Sequence, residues 1–152
     1  MPVIVGQMPP DAITFRASLE GFPRVKREVA VRSDQTLIDL HRVLQEAFAW
    51  DDDHLYSFWL DGEFWGSSES EYTSPIEIEP GQRSADVELG GLGLLTGATI
   101  AYIFDFGDNW SVLLTVLATA PADDGPYPRV VASHGEAPPQ YEEEEDDEPE
   151  TE

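Results

Sequence analysis

Two histidines and two aspartates carry the residue types from which a reactive centre could be built. His41 and His54 supply imidazole nitrogen, and Asp105 and Asp108 supply carboxylate oxygen; together they are a fitting ligand set for a divalent metal held by nitrogen and oxygen. Their spacing along the chain matches no closed metal motif. Each also has a plainer role. His41 falls on an apolar helical stripe and reads equally as a core histidine satisfied by backbone or a carboxylate. His54 follows Asp51-Asp52-Asp53 and reads as a surface histidine whose proton affinity is raised by those carboxylates. Asp108 sits in a Gly-Asp-Asn turn, where an aspartate commonly accepts from its own backbone, and Asp105 is placed to pair with an arginine or histidine across a sheet.

Other chemistries are excluded by type. The chain has no cysteine, which removes disulfides, thiolate-bound zinc and a thiol nucleophile. Asp105-Phe106-Gly107 spells a kinase tripeptide, but the catalytic loop and strand lysine of that mechanism are missing. Gly90-Gly91-Leu92-Gly93 lacks the spacing and the following lysine of a phosphate cradle. There is no G-x-S-x-G elbow.

The elements that must position these residues are legible as periodicity. Residues 13–19 alternate with Ile13, Phe15, Ala17 and Leu19 on one face, and residues 25–32 alternate again after a turn at Gly21 and Pro23, which predicts an antiparallel hairpin. Thr36 followed by Asp39 has capping-box spacing. Leu37, Leu40, Leu44, Ala47 and Phe48 then recur as one helical stripe. Residues 54–60 read as an aromatic strand, with Asp61-Gly62 as a hairpin turn and Glu63-Phe64-Trp65 returning. Ile76 and Ile78 hint at a short strand, and residues 87–97 at a helical turn at most. Residues 98–106 form a strong strand that turns at 107–109 into another carrying Trp110, Val112, Leu114 and Val116. The order predicts an α+β fold, an antiparallel or mixed sheet with one main helix packed on one face, in a β-grasp-like ββαββ order.

Most of the aromatic residues belong to the core by size. Residues 54–60, however, carry apolar side chains on both faces, so the sheet is either covered twice or open to a partner. Tyr56, Trp59 and Trp65 mark the candidate binding surface.

The 152 residues carry 31 acidic against 8 basic side chains, a formal charge of −23. Residues 1–49 balance six acids with six bases, whereas residues 50–152 hold 25 acids and only Arg83 and Arg129. Nine acids lie in the last eleven residues. The expected organisation is an N-terminal arm over 1–11, an α+β domain over 12–120, a proline-rich extended segment over 121–141, and a disordered acidic tail over 142–152. Such a charge repels phosphates and disfavours direct nucleic-acid binding; it favours a basic protein partner. No apolar run reaches the roughly 20 residues of a membrane helix, and the N-terminus lacks a signal-peptide pattern, so the expected compartment is the cytoplasm.

Three segments carry a family resemblance. TLIDLHRVLQEAFAWDDDHLYSFWL (36–60), YIFDFGDNW (102–110) and YPRVVASHGEAPPQY (127–141) resemble the signatures of the plasmid pRiA4b ORF-3-like family. Val112 stands where family members commonly carry a histidine, and Val130 where a cysteine is usual. The resemblance implies a fold and an accessory or mobile-element association more than an activity. The expected function is a non-enzymatic protein-interaction module without a cofactor. A metal-dependent enzyme using His41, His54, Asp105 and Asp108, or an acidic mimic of nucleic acid, are the alternatives.

Overall fold

The computed structural model describes residues 10–140. Its first two strands, β1 (Asp11–Leu19) and β2 (Lys26–Arg32), form the predicted antiparallel hairpin, with Phe15 opposite Val29. Burial along β1 alternates as the sequence does: Ile13, Phe15, Ala17 and Leu19 are buried and their neighbours are not. Helix α1 (Leu37–Phe48) begins at the capping box, in which Asp39 Oδ2 accepts from the Thr36 N–H at 2.9 Å and Thr36 Oγ1 accepts from the Asp39 N–H at 3.4 Å. It ends at Ala49 in the left-handed conformation.

After the helix come β3 (Tyr56–Trp59), β4 (Glu71–Thr73), β5 (Arg83–Ser84), a 3-10 turn at Leu89–Gly91, β6 (Thr99–Phe104), β7 (Trp110–Pro121) and β8 (Arg129–His134). All join one eight-stranded sheet in the order β5-β4-β3-β6-β7-β1-β2-β8. Every neighbouring pair is antiparallel except β4 with β5. The fold is therefore α+β with a mixed sheet and one main helix, but the β-grasp-like ββαββ order is not borne out. Six strands follow the helix in the chain, and the first hairpin is joined to the rest through an antiparallel β1–β7 pairing.

The main core lies between α1 and the sheet. Leu37, Leu40, Val43, Leu44 and Phe48 pack onto Phe15, Val29, Val31, Phe58, Ile100, Tyr102, Phe104, Val112 and Leu114. Trp59, Ala101 and Ile103 form a smaller cluster, with Phe64 packed against it. Since successive strand residues point to opposite faces, this second cluster covers the other side of β3 and β6. The sheet is thus covered on both faces there, which resolves the choice left open by the double-sided apolar pattern.

Three local expectations differ. Glu63–Trp65 does not return from β3. Gly62 and Trp65 both take positive φ, 79° and 55°, and the chain loops outward before β4 pairs with β3. Residues 76–78 form no strand. Within 121–141, where an extended segment is expected, β8 adds to β2. Pro126 and Pro128 precede β8, and Pro138 and Pro139 follow it, while Pro121 ends β7. The tail over 142–152 and most of the arm over 1–11 lie outside the described residues.

Candidate functional site

The helical stripe that buries α1 contains His41, only 2% exposed. Burial of an imidazole demands partners for both nitrogens, and the fold supplies them. Nδ1 lies 2.7 Å from the Tyr102 hydroxyl on β6, and Nε2 lies 2.7 Å from Asp52 Oδ1 in the loop after the helix. The Tyr102 oxygen accepts from Gln45 Nε2 at 3.0 Å, one helical turn beyond His41. The Asp52 carboxylate can only accept, so the neutral imidazole donates from Nε2–H to it, and Nδ1 accepts from the Tyr102 hydroxyl. The ring is stacked on Tyr56 of β3 at 3.6 Å between centroids and 9° between planes.

Burial fixes the charge states. It pushes the His41 pKa below its ordinary 6.5, against the opposing pull of Asp52. Burial also pushes the Tyr56 phenol up to about 12, with the Asp52 charge adding to the effect, and raises Tyr102 well above 10. The sign of the resulting stability dependence follows directly. In the unfolded chain His41 takes a proton as pH falls through 6.5, while the folded protein resists protonation until lower pH. Folding stability contributed by His41 is full above 6.5 and lost as pH falls from there through the folded value. Denaturation of the wild type minus that of His41→Gln, measured from pH 7.5 to 5, is expected to show this loss; a pH-independent difference would refute it.

His41, Asp52 and Tyr56 of this network face a cleft of about 570 Å³ lined by α1 (Ile38, His41, Arg42), by residues 52–56, and by residues 74–77. Its volume is that of ordinary ligand sites. Asp52 is half-exposed and lines the cleft. Its loop is pinned from the far end of the fold by Gln140. Gln140 Oε1 accepts from the Asp51 N–H at 2.6 Å, and its Nε2 donates to Asp53 Oδ1 at 3.2 Å.

His54 also lines the cleft, with Nε2 3.4 Å from Asp105 Oδ2 and 3.5 Å from Asp53 Oδ1. Asp105 is buried at positive φ (66°), and its Oδ1 accepts from the N–H groups of Gly107 and Asp108. Asp105, not Asp108, closes that turn. Of the four sequence candidates only His54 and Asp105 meet; His41 pairs instead with Asp52, and Asp108 is exposed. Among the described residues no group of three or more His, Asp or Glu side chains is arranged to hold a metal.

The three aromatic candidates do not share a surface. Tyr56 is buried beneath the cleft, and Trp59 is 2% exposed on the opposite face of β3. Trp65 alone is open, 53% exposed, lying over Trp59 and beside Phe106 with centroids 5.3 Å apart in each case. Its Nε1 donates to Asn109 Oδ1 at 3.0 Å.

Asp52, Tyr102, Gln45 and Gln140 were not candidates on spacing alone. The signal that joins them is the set of resembling segments. The first carries His41, Gln45, Asp52 and Tyr56, the second Tyr102 and Asp105, the third Gln140. The first segment supplies lining residues of the cleft, and the other two brace them: Tyr102 on His41, Asp105 on His54 and Gln140 on Asp51 and Asp53. Residues 11–144 match the profile of the plasmid pRiA4b ORF-3-like protein family. The chain belongs to that family. It is similar to the uncharacterized protein y4hQ of Sinorhizobium fredii, with 32% identity over 120 residues. That match covers 78% of this chain and 59% of y4hQ, so the chain spans well under two thirds of that relative. It is also similar in fold to the crystal structure of a protein of unknown function, MM3350, from Methanosarcina mazei. The TM-score is 0.72 at 26% identity, covering 88% of this chain and 74% of that one. Among the described residues of this pRiA4b ORF-3-like chain, no helix is long and apolar enough to cross a membrane.

Proposed function

We propose that this domain is a non-enzymatic protein-interaction module and that the cleft above His41 and Asp52 receives a basic segment of a protein partner. The observation that carries this reading is one cleft whose walls combine Ile38, Leu55, Pro75 and Ile76 with the carboxylates of Asp52, Asp53 and Glu77. A chain of charge −23 attracts a basic partner at long range. Both ring nitrogens of His41 are engaged within the protein, so the imidazole serves to hold Asp52 and offers no nitrogen to a reacting group.

The test is an NMR titration with a decapeptide of alternating lysine and leucine, beside its glutamate counterpart. The lysine peptide is expected to shift the amides of Ile38, His41, Asp52, Ser74 and Ile76, and to weaken with added salt. Ile76, 66% exposed, forms part of the apolar wall. Ile76→Ser is expected to reduce affinity by roughly fivefold, the worth of about 1 kcal/mol of apolar contact. Shifts confined to the Trp65 indole and Phe106 would move the interaction to the aromatic patch on the other face. No shift with the lysine peptide would remove the reading.

A further inference from the structure

We infer that His41, Tyr102 and Gln45 form a reversible hydrogen-bond relay: when His41 takes up a proton, the order of donors and acceptors from Nδ1 to the Gln45 amide reverses, and the charge that Asp52 offers the cleft is cancelled. The atom that points to this is Gln45 Oε1. Gln45 is only 5% exposed, and among the described residues its Oε1 has no hydrogen-bond partner, although its Nε2 donates to Tyr102 at 3.0 Å. A buried acceptor left empty calls for an explanation. Here it also means that inverting the amide exchanges two nearly isosteric atoms and breaks no bond on the far side.

With His41 neutral, the Gln45 amide N–H donates to the Tyr102 oxygen, the Tyr102 hydroxyl donates to His41 Nδ1, and His41 Nε2–H donates to Asp52. An imidazolium donates from both nitrogens, so Nδ1 can no longer accept. Tyr102 must then accept from Nδ1–H and turn its own proton elsewhere. The Gln45 amide already lies within reach, and once inverted its Oε1 accepts that proton. One proton enters from water at Nδ1, Tyr102 keeps its own, and each contact in the row survives. The ring itself stays in place, stacked on Tyr56 and 2.7 Å from both the Tyr102 and the Asp52 oxygens.

Few charged groups face the ring. Burial opposes the proton most, Asp52 in the loop after α1 favours it, and Arg42 on α1 opposes it. Tyr56 on β3 and Tyr102 on β6 stay neutral, since burial raises both phenols. Asp53, His54 and Glu77 line the same cleft. Protonated His41 places a positive charge against Asp52 Oδ1, so the cleft attracts a basic segment less. This consequence, unlike the relay, rests on the reading of the cleft as the recognition site.

The test follows the His41 ring nitrogens and the Gln45 side-chain amide by NMR in the whole chain, from pH 7.5 to about 4.5, just above the ordinary carboxylate range. Circular dichroism reports the fold. The Gln45 amide signals are expected to move with the His41 midpoint, below 6.5. Gln45→Met keeps the side-chain volume and removes the amide. It is expected to lower the His41 midpoint by roughly one pH unit, because the charged state loses the acceptor for the Tyr102 proton. Without inversion, the Gln45 N–H and Nδ1–H would compete for one oxygen, and the same substitution would leave the midpoint in place or raise it; that result overturns the relay. So does a wild-type Gln45 amide that does not follow His41, or a His41 ring that stays neutral across the range.

The lysine–leucine decapeptide gives the second readout. On acidification across the His41 midpoint its affinity is expected to fall roughly threefold more for the wild type than for His41→Gln. An equal fall in both would sever the relay from the cleft and overturn its regulatory role. No decapeptide binding at any pH would remove the recognition reading and the regulatory role with it, while the midpoints still decide the relay.

Discussion

Phe104→Ala is expected to lower the unfolding free energy by about 3–5 kcal/mol, the cost of removing a large aromatic ring from a packed interior. Phe104 is fully buried at the end of β6. Its ring is stacked on Trp50 at 5.4 Å, and lies 6.0 Å from both His41 and His54. One side chain thus joins the helix-to-sheet core to both histidines of the cleft. Urea denaturation followed by tryptophan fluorescence measures the loss. In the folded fraction the ring signals of His41 and His54 should both move, because each loses its neighbour. A loss below about 1 kcal/mol, with unmoved histidine signals, would mean that the ring does not fill this space.

Arg27→Met is the second large effect, about 2–3 kcal/mol, from carbonyl groups left without donors. Arg27 is 6% exposed, and its guanidinium bonds go to backbone oxygens. Nε donates to Ala47 O at 2.8 Å at the end of α1, while Nη1 donates to Lys26 O and His134 O at 2.8 Å and to Gly135 O at 3.1 Å. The cation sits 5.3 Å from the centroid of the Phe48 ring. Burial pushes its pKa down from 12.5, yet the carbonyl end of a helix is the favourable place for a positive charge. This residue ties β2, α1 and β8 together. The methionine keeps most of the stem packing and removes every donor, so the measured loss isolates the hydrogen bonds. Amide hydrogen exchange should accelerate first in β8, an edge strand. Protection of β8 equal to wild type would refute the pin.

Periodicity reached the hairpin of β1 and β2, the bounds of α1 and the pair β6–β7, because each buries one face and local pattern reports it. It missed β8, whose residues are half-buried or exposed at the sheet edge, so burial leaves little alternation to read. It placed a return strand at Glu63–Trp65, where Asp61-Gly62 has the right residues for a tight turn, but Trp65 is drawn away to cover Trp59. Trp59, Trp65 and Tyr56 share an aromatic type, but the pleat sends Tyr56 and Trp59 to opposite faces.

At the site, His41 was visible as a histidine on an apolar stripe, and its partners were not. Asp52 is one of three consecutive aspartates, and nothing in the sequence says which of them meets the imidazole. Tyr102 lies 61 residues from His41 and Gln140 lies 89 from Asp51, separations across which no local rule operates. The sequence alone determined the family, the α+β class, the helix with its cap and the concentration of negative charge beyond residue 49. Each of these is written in residue type and short-range spacing. Only the tertiary structure decided which aspartate is bound, which aromatic is exposed and that β1 pairs with β7. Those choices depend on which distant surfaces must be buried together to satisfy the polar groups between them.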